Sequence, residues 1–281
     1  MPVRLHPTFS CFVVGCAVLA LLSACSSGSR GPAAGRDGPG DGRDVSQVPD
    51  AVPRVEPRSR GGNPASYVVF GKRYYTMDSS AGYRKRGIAS WYGSKFHGRR
   101  TSNGEVYDMY AMSAAHKELP IPTYVEVTNL ENGRQVIVRV NDRGPFHENR
   151  IIDLSYAAAS RIGMLSRGTA MVEVRAIDPS APKVAASPTP APSVRPATRE
   201  RDGQPRIFLQ AGSFRSEVNA ERYRQRLERD LDRAVRVMPF STGNGRVHRV
   251  QVGPINSVEL ADRITSQMHA IGVLEPLVII D

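Results

Sequence analysis

Two stretches of this chain, 25–65 and 179–204, are built almost entirely from Gly, Pro, Ser, Ala, Arg and Asp, with very few large apolar side chains. Such segments bury too little surface to offset the entropy of ordering. They therefore confine the folded parts to residues 66–178 and 205–281. The first stretch reads as a flexible tether and the second, PSAPKVAASPTPAPSVRPATRERDGQ, as a Pro-stiffened linker.

The N-terminus carries an export address. Arg4 precedes an apolar run from Cys11 to Leu22, too short to span a bilayer, which ends in Leu22-Ser23-Ala24-Cys25. Residues 1–24 read as a signal peptide whose lipobox delivers Cys25 for lipidation. Cys11 and Cys16 leave with it, so the mature chain keeps one of its three Cys and has no internal disulfide available. Ser26 rather than Asp follows Cys25, which among lipoproteins of this kind implies the outer membrane. A formal charge of +11 would ordinarily raise the question of nucleic acid. The basic excess is spread over both domains, however, and an exported, membrane-anchored chain meets none.

The C-terminal segment repeats itself. Shifted by 41 residues, Leu209-Gln-Ala-Gly-Ser-Phe-Arg-Ser-Glu-Val-Asn-Ala-Glu-Arg-Tyr223 overlies Val250-Gln-Val-Gly-Pro-Ile-Asn-Ser-Val-Glu-Leu-Ala-Asp-Arg-Ile264. Each copy reads as strand, Ser-capped helix, strand. Ala220, Tyr223 and Leu227, and likewise Ala261, Ile264 and Met268, form one buried helical stripe each. With Leu209 and Val250 turned to the core, alternation turns Phe208, Gln210, Arg249 and Gln251 to the other sheet face. An aromatic ring, two amides and a guanidinium on an open face suit a flat polar polymer. Leu209–Phe214 and His248-Arg-Val-Gln-Val-Gly-Pro254 resemble the two strand motifs of the SPOR family, which implies a βαβ-βαβ domain binding glycan strands of peptidoglycan stripped of their stem peptides. On that resemblance Ser213 and Phe214 join the glycan-binding set. An RNA-recognition motif shares the plan but needs aromatics that His248–Pro254 lacks.

The central segment reads as mostly strand. Gly87–Trp91, Tyr124–Thr128, Arg134–Val140 and Thr169–Ile177 alternate apolar and polar residues, and Asn132-Gly133 marks a hairpin. One short helix is predicted from Ser155 as N-cap to Gly163 as stop. A small barrel fits this pattern. Polar clusters interrupt it at Thr101-Ser-Asn-Gly-Glu105, Ala114-Ala-His116-Lys117 and Asn141-Asp-Arg-Gly-Pro-Phe146, the last placing Asp142 at a strand end. Taken singly, each has an ordinary reading: two turns, one with an ion pair, and a structural histidine. His97, His116 and His147 lack close ligand spacing, so no metal or other cofactor is expected.

Taken in order, Gly87-Ile-Ala-Ser-Trp-Tyr-Gly93, Phe96-His-Gly98, Thr101–Glu105, Ala114-Ala-His116, Asn141–Phe146 and Arg150-Ile-Ile-Asp-Leu-Ser155 resemble the rare lipoprotein A family of septal lytic transglycosylases. That resemblance implies a double-psi β-barrel, with Asp142 as the catalytic acid and Glu105 and His116 lining the same cleft. It also implies that Asn141, Arg143, Trp91, Tyr92, Thr101 and Asn103 bind substrate. The implied reaction is a lyase cleavage of the β-1,4 bond after N-acetylmuramic acid. A carboxylic acid protonates the leaving oxygen, and the sugar's own 6-hydroxyl closes a 1,6-anhydro ring. Ser102, where the family commonly has Ala, is the visible departure. The implied partners are stripped glycan strands, a membrane reached through the Cys25 lipid, and cell-division proteins at the septum. Two other classes stay open: a septal glycan-binding scaffold without catalysis, since this barrel also resembles that of expansins, and a conventional hydrolase.

Overall fold

A computed structural model of the chain describes residues 38–181, 205–243 and 245–281. The signal peptide, Cys25 and linker residues 182–204 lie outside the described residues.

The central domain contains a closed six-stranded barrel made of β3 (Arg84–Tyr92), β4 (Ser113–His116), β5 (Thr123–Asn129), β6 (Gln135–Asp142), β7 (Arg150–Ser155) and β8 (Ala170–Ala176), in the spatial order β3-β7-β4-β6-β5-β8. Two pairs, β3/β7 and β4/β6, run parallel and the rest antiparallel. Val125, Val127, Val136, Val138, Val140, Ile152, Leu154, Val172 and Val174 alternate into the lumen and are fully buried or nearly so. Branched side chains fill so narrow a lumen without polar atoms to satisfy. Helix α1 (Tyr156–Arg161) packs Ala157, Ala158 and Ala159 against the barrel, where small side chains allow close approach. Its N-cap Ser155 accepts from the Ala158 amide, and Gly163 follows its end at φ +71°. Ahead of the barrel stands a hairpin of β1 (Ser66–Val69) and β2 (Lys72–Tyr75).

The expected strands and helix of this domain are present, and four strands, β1, β2, β4 and β7, fall outside the expected set. All four residues of β4 are buried, so that strand shows no polar face. In β7 the polar Asp153 falls between core residues Ile152 and Leu154.

Residues 38–65 depart from the expected tether. This segment runs across the barrel as an ordered strap: Val45 enters the core, the Ala51 amide donates to the Ile137 carbonyl at 3.0 Å, and the Ser59 amide donates to the Ile121 carbonyl at 2.9 Å. Composition misleads because a few anchors among Gly, Pro and Arg suffice to dock the chain onto an existing surface.

The C-terminal domain is a four-stranded antiparallel sheet, ordered β10 (Val235–Thr242), β11 (Gly245–Ile255), β9 (Ile207–Phe214), β12 (Leu277–Ile280). Helices α2 (Glu217–Leu231) and α3 (Val258–Ala270) bury Ala220, Leu227, Ala261, Ile264 and Met268 against it. Ser216 and Ser257 cap them as the repeat predicts. Within the single unit formed by residues 36–281, Arg150 of the barrel donates to Asp262 of α3 at 2.7 Å.

Candidate active site

The site begins with a change of register. Ala114 pairs with Val140, but the next residue, Ala115, pairs with Asp142, so Asn141 is an extra residue in β6. Such a bulge re-aims the side chain that follows it. Ala115 also pairs with Asp153 on its other side, and Asp153 with Ser90. One cross-strand row therefore reads Asp142, Ala115, Asp153, Ser90, with two carboxyls flanking a methyl group. Gly144 (φ +140°) passes over this row. A Cβ there would stand 3.7 Å from the Ala115 Cβ and 4.0 Å from Asp153 Oδ2.

Three donors hold Asp142 by one oxygen. Its Oδ1 accepts from the Ser102 amide at 2.8 Å, the Ser102 hydroxyl at 2.5 Å and the Arg143 amide at 2.7 Å. Among the described residues no hydrogen bond engages Oδ2, which leaves it for a ligand. Asp153 differs: among the described residues its one side-chain hydrogen-bond partner is the Ser90 hydroxyl. Although the residue keeps some contact with solvent, the protein around its carboxyl desolvates it, which raises its pKa above the usual carboxylate range despite that hydrogen bond.

Glu105 is tied down beside them. Arg139 Nη1 donates to both of its oxygens, at 3.0 and 2.9 Å, and Asn141 Nδ2 donates to Oε2 at 2.9 Å. Burial alone would raise the Glu105 carboxyl, but these hydrogen bonds and the guanidinium charge outweigh it and hold the pKa below its ordinary value. Its charge is thus shared with Arg139, which limits any repulsion it exerts on Asp142. Thr101 and Asn103 shape the turn before it: the Thr101 hydroxyl donates to Asn103 Oδ1 at 2.6 Å, and the same oxygen accepts from the Glu105 amide at 3.1 Å.

Several expected ligand contacts have other duties. His116 is 2% exposed, and both its ring nitrogens are used. Nδ1 accepts from the Glu118 and Leu119 amides, and Nε2 lies 2.8 Å from the Tyr83 hydroxyl. Burial, reinforced by Lys85, Arg143 and Lys117, drives its pKa down to about 3, so the ring is neutral and holds a turn. The Arg143 guanidinium is likewise spent on the protein: Nε donates to the Gly62 carbonyl at 2.7 Å, Nη1 to the Leu119 carbonyl at 2.6 Å and Nη2 to Asn63 Oδ1 at 3.1 Å. Only its amide serves Asp142. Tyr92 is buried and stacked on Tyr107 at 4.1 Å. Trp91 is half-buried against Tyr156. Asn141 is buried too, yet its Oδ1 has no partner among the described residues.

On the sheet of the C-terminal domain, Gln210 pairs with Gln251 and Ser213 with Arg249, which puts these four with Phe208 on the face away from the helices. Phe208 is 4% exposed because the Arg236 guanidinium lies 3.4 Å from its ring centre. The surface a ligand would meet there is therefore Arg236, which also donates to Gln251 at 2.9 Å. A second stack sets Arg249 over Phe240 at 3.3 Å. Phe214 does not belong to this face. An extra residue at Ala211 reverses the alternation and turns Phe214 toward Tyr223 of α2, 5.2 Å between ring centres.

The motif order hid Ser102, Arg139, Asp153 and Arg236. Asp153 alone had a signal, as the acidic residue between two core positions of Arg150–Ser155.

A double-psi barrel with a carboxyl row at its bulged strand, joined to a sheet-and-two-helix module, defines a two-domain class. The family model described as lytic transglycolase matches residues 84–174, and the SPOR domain model matches residues 203–279. The proteins named endolytic peptidoglycan transglycosylase RlpA from Pseudomonas aeruginosa and Vibrio cholerae are 38% and 40% identical to this chain. The alignments cover 92% of this chain and 93% of the Pseudomonas protein, and 91% of both chains for the Vibrio protein. Among solved structures, the RlpA SPOR domain of Pseudomonas aeruginosa matches at 23% identity and a TM-score of 0.25, over 26% of this chain and 96% of that one. The chain belongs to the RlpA family of lytic transglycosylases.

Proposed function

We propose that this protein cleaves the β-1,4 bond between N-acetylmuramic acid and N-acetylglucosamine in peptidoglycan glycan strands, leaving 1,6-anhydro ends. Family membership supports the reaction class, and the observation that carries the site is the Asp142–Ala115–Asp153 row. Asp142 is the acid and then the base. Its carboxyl gives a proton to the glycosidic oxygen as the bond from C1 breaks, and the resulting carboxylate takes the proton of the 6-hydroxyl as that oxygen bonds to C1. Proton and oxygen both return to their starting inventory, and no water is consumed. The three donors on Oδ1 fix the carboxyl so that Oδ2 performs both transfers. Desolvation of Asp153 favours a second reading, in which Asp153 brings the proton, Asp142 receives the one from the 6-hydroxyl, and a proton then passes from Asp142 back to Asp153 to restore both groups.

The arginine-covered sheet face of the C-terminal domain, with Arg236 and Arg249 foremost, binds strands stripped of stem peptides, which gathers the enzyme at the division septum. Cys25 carries a lipid that anchors it in the outer membrane. Two attachments raise the glycan concentration that the barrel meets.

The test is mass spectrometry of soluble products from amidase-stripped and intact sacculi in ¹⁸O-water. Anhydro-ended products without ¹⁸O support the transglycosylase, reducing ends carrying ¹⁸O indicate a hydrolase, and binding without product indicates a scaffold. Asp142→Asn and Asp153→Asn, assayed side by side, separate the two readings of the acid.

A further inference from the structure

Resting on the function just proposed, we infer that the strap preceding the barrel is part of the catalytic machinery, with Glu56 and Asn63 as positioning residues: Glu56 fixes Glu105, which accepts from the Asn141 side-chain amide one residue before Asp142, and Asn63 backs the two residues that donate to Asp142. Both lie outside residues 84–174, the stretch matched by the transglycosylase family model.

Two chains of contact lead from the strap to the site. In the first, Glu56 grips Arg139 with both oxygens, Nε to Oε1 at 3.0 Å and Nη2 to Oε2 at 2.8 Å. The Tyr124 hydroxyl also donates to Glu56. That grip leaves Nη1 of the same guanidinium to hold Glu105, which in turn receives Asn141 Nδ2. The planar fork makes the two carboxylates geometrically dependent: moving Glu56 rotates the group that sets Glu105. Both side chains of the Glu56–Arg139 pair are 18% exposed, so the pair is shielded from water that would otherwise loosen it.

In the second chain, Asn63 is held at four points. Nδ2 donates to the Ser59 and Ile121 carbonyls at 3.0 and 2.7 Å, while Oδ1 accepts from the Ile121 amide at 2.8 Å and from Arg143 Nη2 at 3.1 Å. The Gly62 carbonyl takes Arg143 Nε. Gly61 and Gly62 press against the Ser102 carbonyl, which a Cβ would meet at 3.0 and 3.1 Å respectively. Arg143 and Ser102 are the two residues whose groups hold Asp142 Oδ1, and residues 61–63 back them both.

The experiment uses the purified full-length mature protein and soluble stripped glycan oligomers, with anhydro ends counted by mass spectrometry. Glu56→Gln and Asn63→Ala are expected to lower kcat about tenfold, with KM within about threefold, since small displacements of a catalytic group cost rate more than binding. In a Glu105→Gln background, Glu56→Gln is expected to cause no further loss, because its effect runs through Glu105. Trp91 fluorescence reports the folded fraction at the assay temperature. Should Glu56→Gln unfold, Arg139→Lys replaces it: it keeps the charge, loses the fork and is expected to lower kcat in the same way. Rates within twofold of the parent for both strap variants would overturn the inference, as would an equal loss with Glu105 present or replaced. A parent without anhydro product would sink the function itself, whereas an active parent with unaffected strap variants would sink only the strap.

Discussion

Replacing Glu56 by Gln should destabilise the barrel in a way that depends on pH. In the folded protein, hydrogen bonds from Arg139 foremost, against the opposing effect of burial, lower the Glu56 carboxyl from an ordinary 4.5 to about 2. A folded-state pKa below the unfolded one means that folding favours the carboxylate. The stabilisation is therefore complete above about pH 4.5 and is lost as pH falls toward about 2. At about 1.4 kcal/mol per unit the shift sets a ceiling near 3 kcal/mol, and about 2 kcal/mol is a fair central value for a pair still in partial contact with water. Trp91 is the only tryptophan of the chain and packs on Tyr156 inside the barrel domain, so its fluorescence during urea unfolding reports that domain. Glu56→Gln is expected to lie about 2 kcal/mol below the parent at pH 7 and 5.5, the two converging through the window from about 4.5 to about 2. An offset that stays constant across that window would refute the electrostatic reasoning and assign the loss to packing.

Other perturbations test other links. A Cβ on Gly87 would meet three Ile151 side-chain atoms at 2.6 to 2.9 Å, so Gly87→Ala should cost roughly 1–3 kcal/mol by the same unfolding assay. Ser155→Ala removes the cap of α1 and should cost about 1 kcal/mol, read the same way. Because the His116 ring is neutral, with its pKa near 3, and spent on its turn, His116→Gln should lower thermal stability without adding or removing a limb in the pH–rate profile between pH 5 and 8. Arg236→Ala uncovers Phe208 and frees Gln251, and should weaken sedimentation with stripped sacculi severalfold while sparing cleavage of soluble strands.

Local chemistry was legible from the chain, and whatever depended on register was not. The caps of α1 at Ser155 and Gly163 act within a few residues and could be read directly. So could the valine alternation of β5 and β6 and the turn at Asn132-Gly133. The faces of Asp142 and Phe214, by contrast, each hang on one inserted residue, Asn141 in β6 and Ala211 in β9. Period-2 reasoning cannot see such an insertion, and it reverses everything beyond it. Asp142 could be placed at a strand end from the Asn-Asp-Arg-Gly-Pro run, but its neighbour across Ala115, Asp153, emerges only when β4 sits between β6 and β7. His116 and Arg143 stand in the right motifs for a different reason: they tie loops together, through the Leu119 amide and the Leu119 carbonyl respectively. The strap was hidden by its composition, since Val45, Glu56 and Asn63 are three anchors among residues typical of disorder.

The most direct test of the account is the Asp142→Asn protein on amidase-stripped sacculi, with anhydromuramyl ends quantified beside the parent. Asn keeps the shape and can still accept the three donors on Oδ1, so the barrel should unfold at the parent's urea midpoint to within about 1 M, while product falls at least about a hundredfold. Anhydro ends released at the parental rate by a folded Asp142→Asn protein would contradict it.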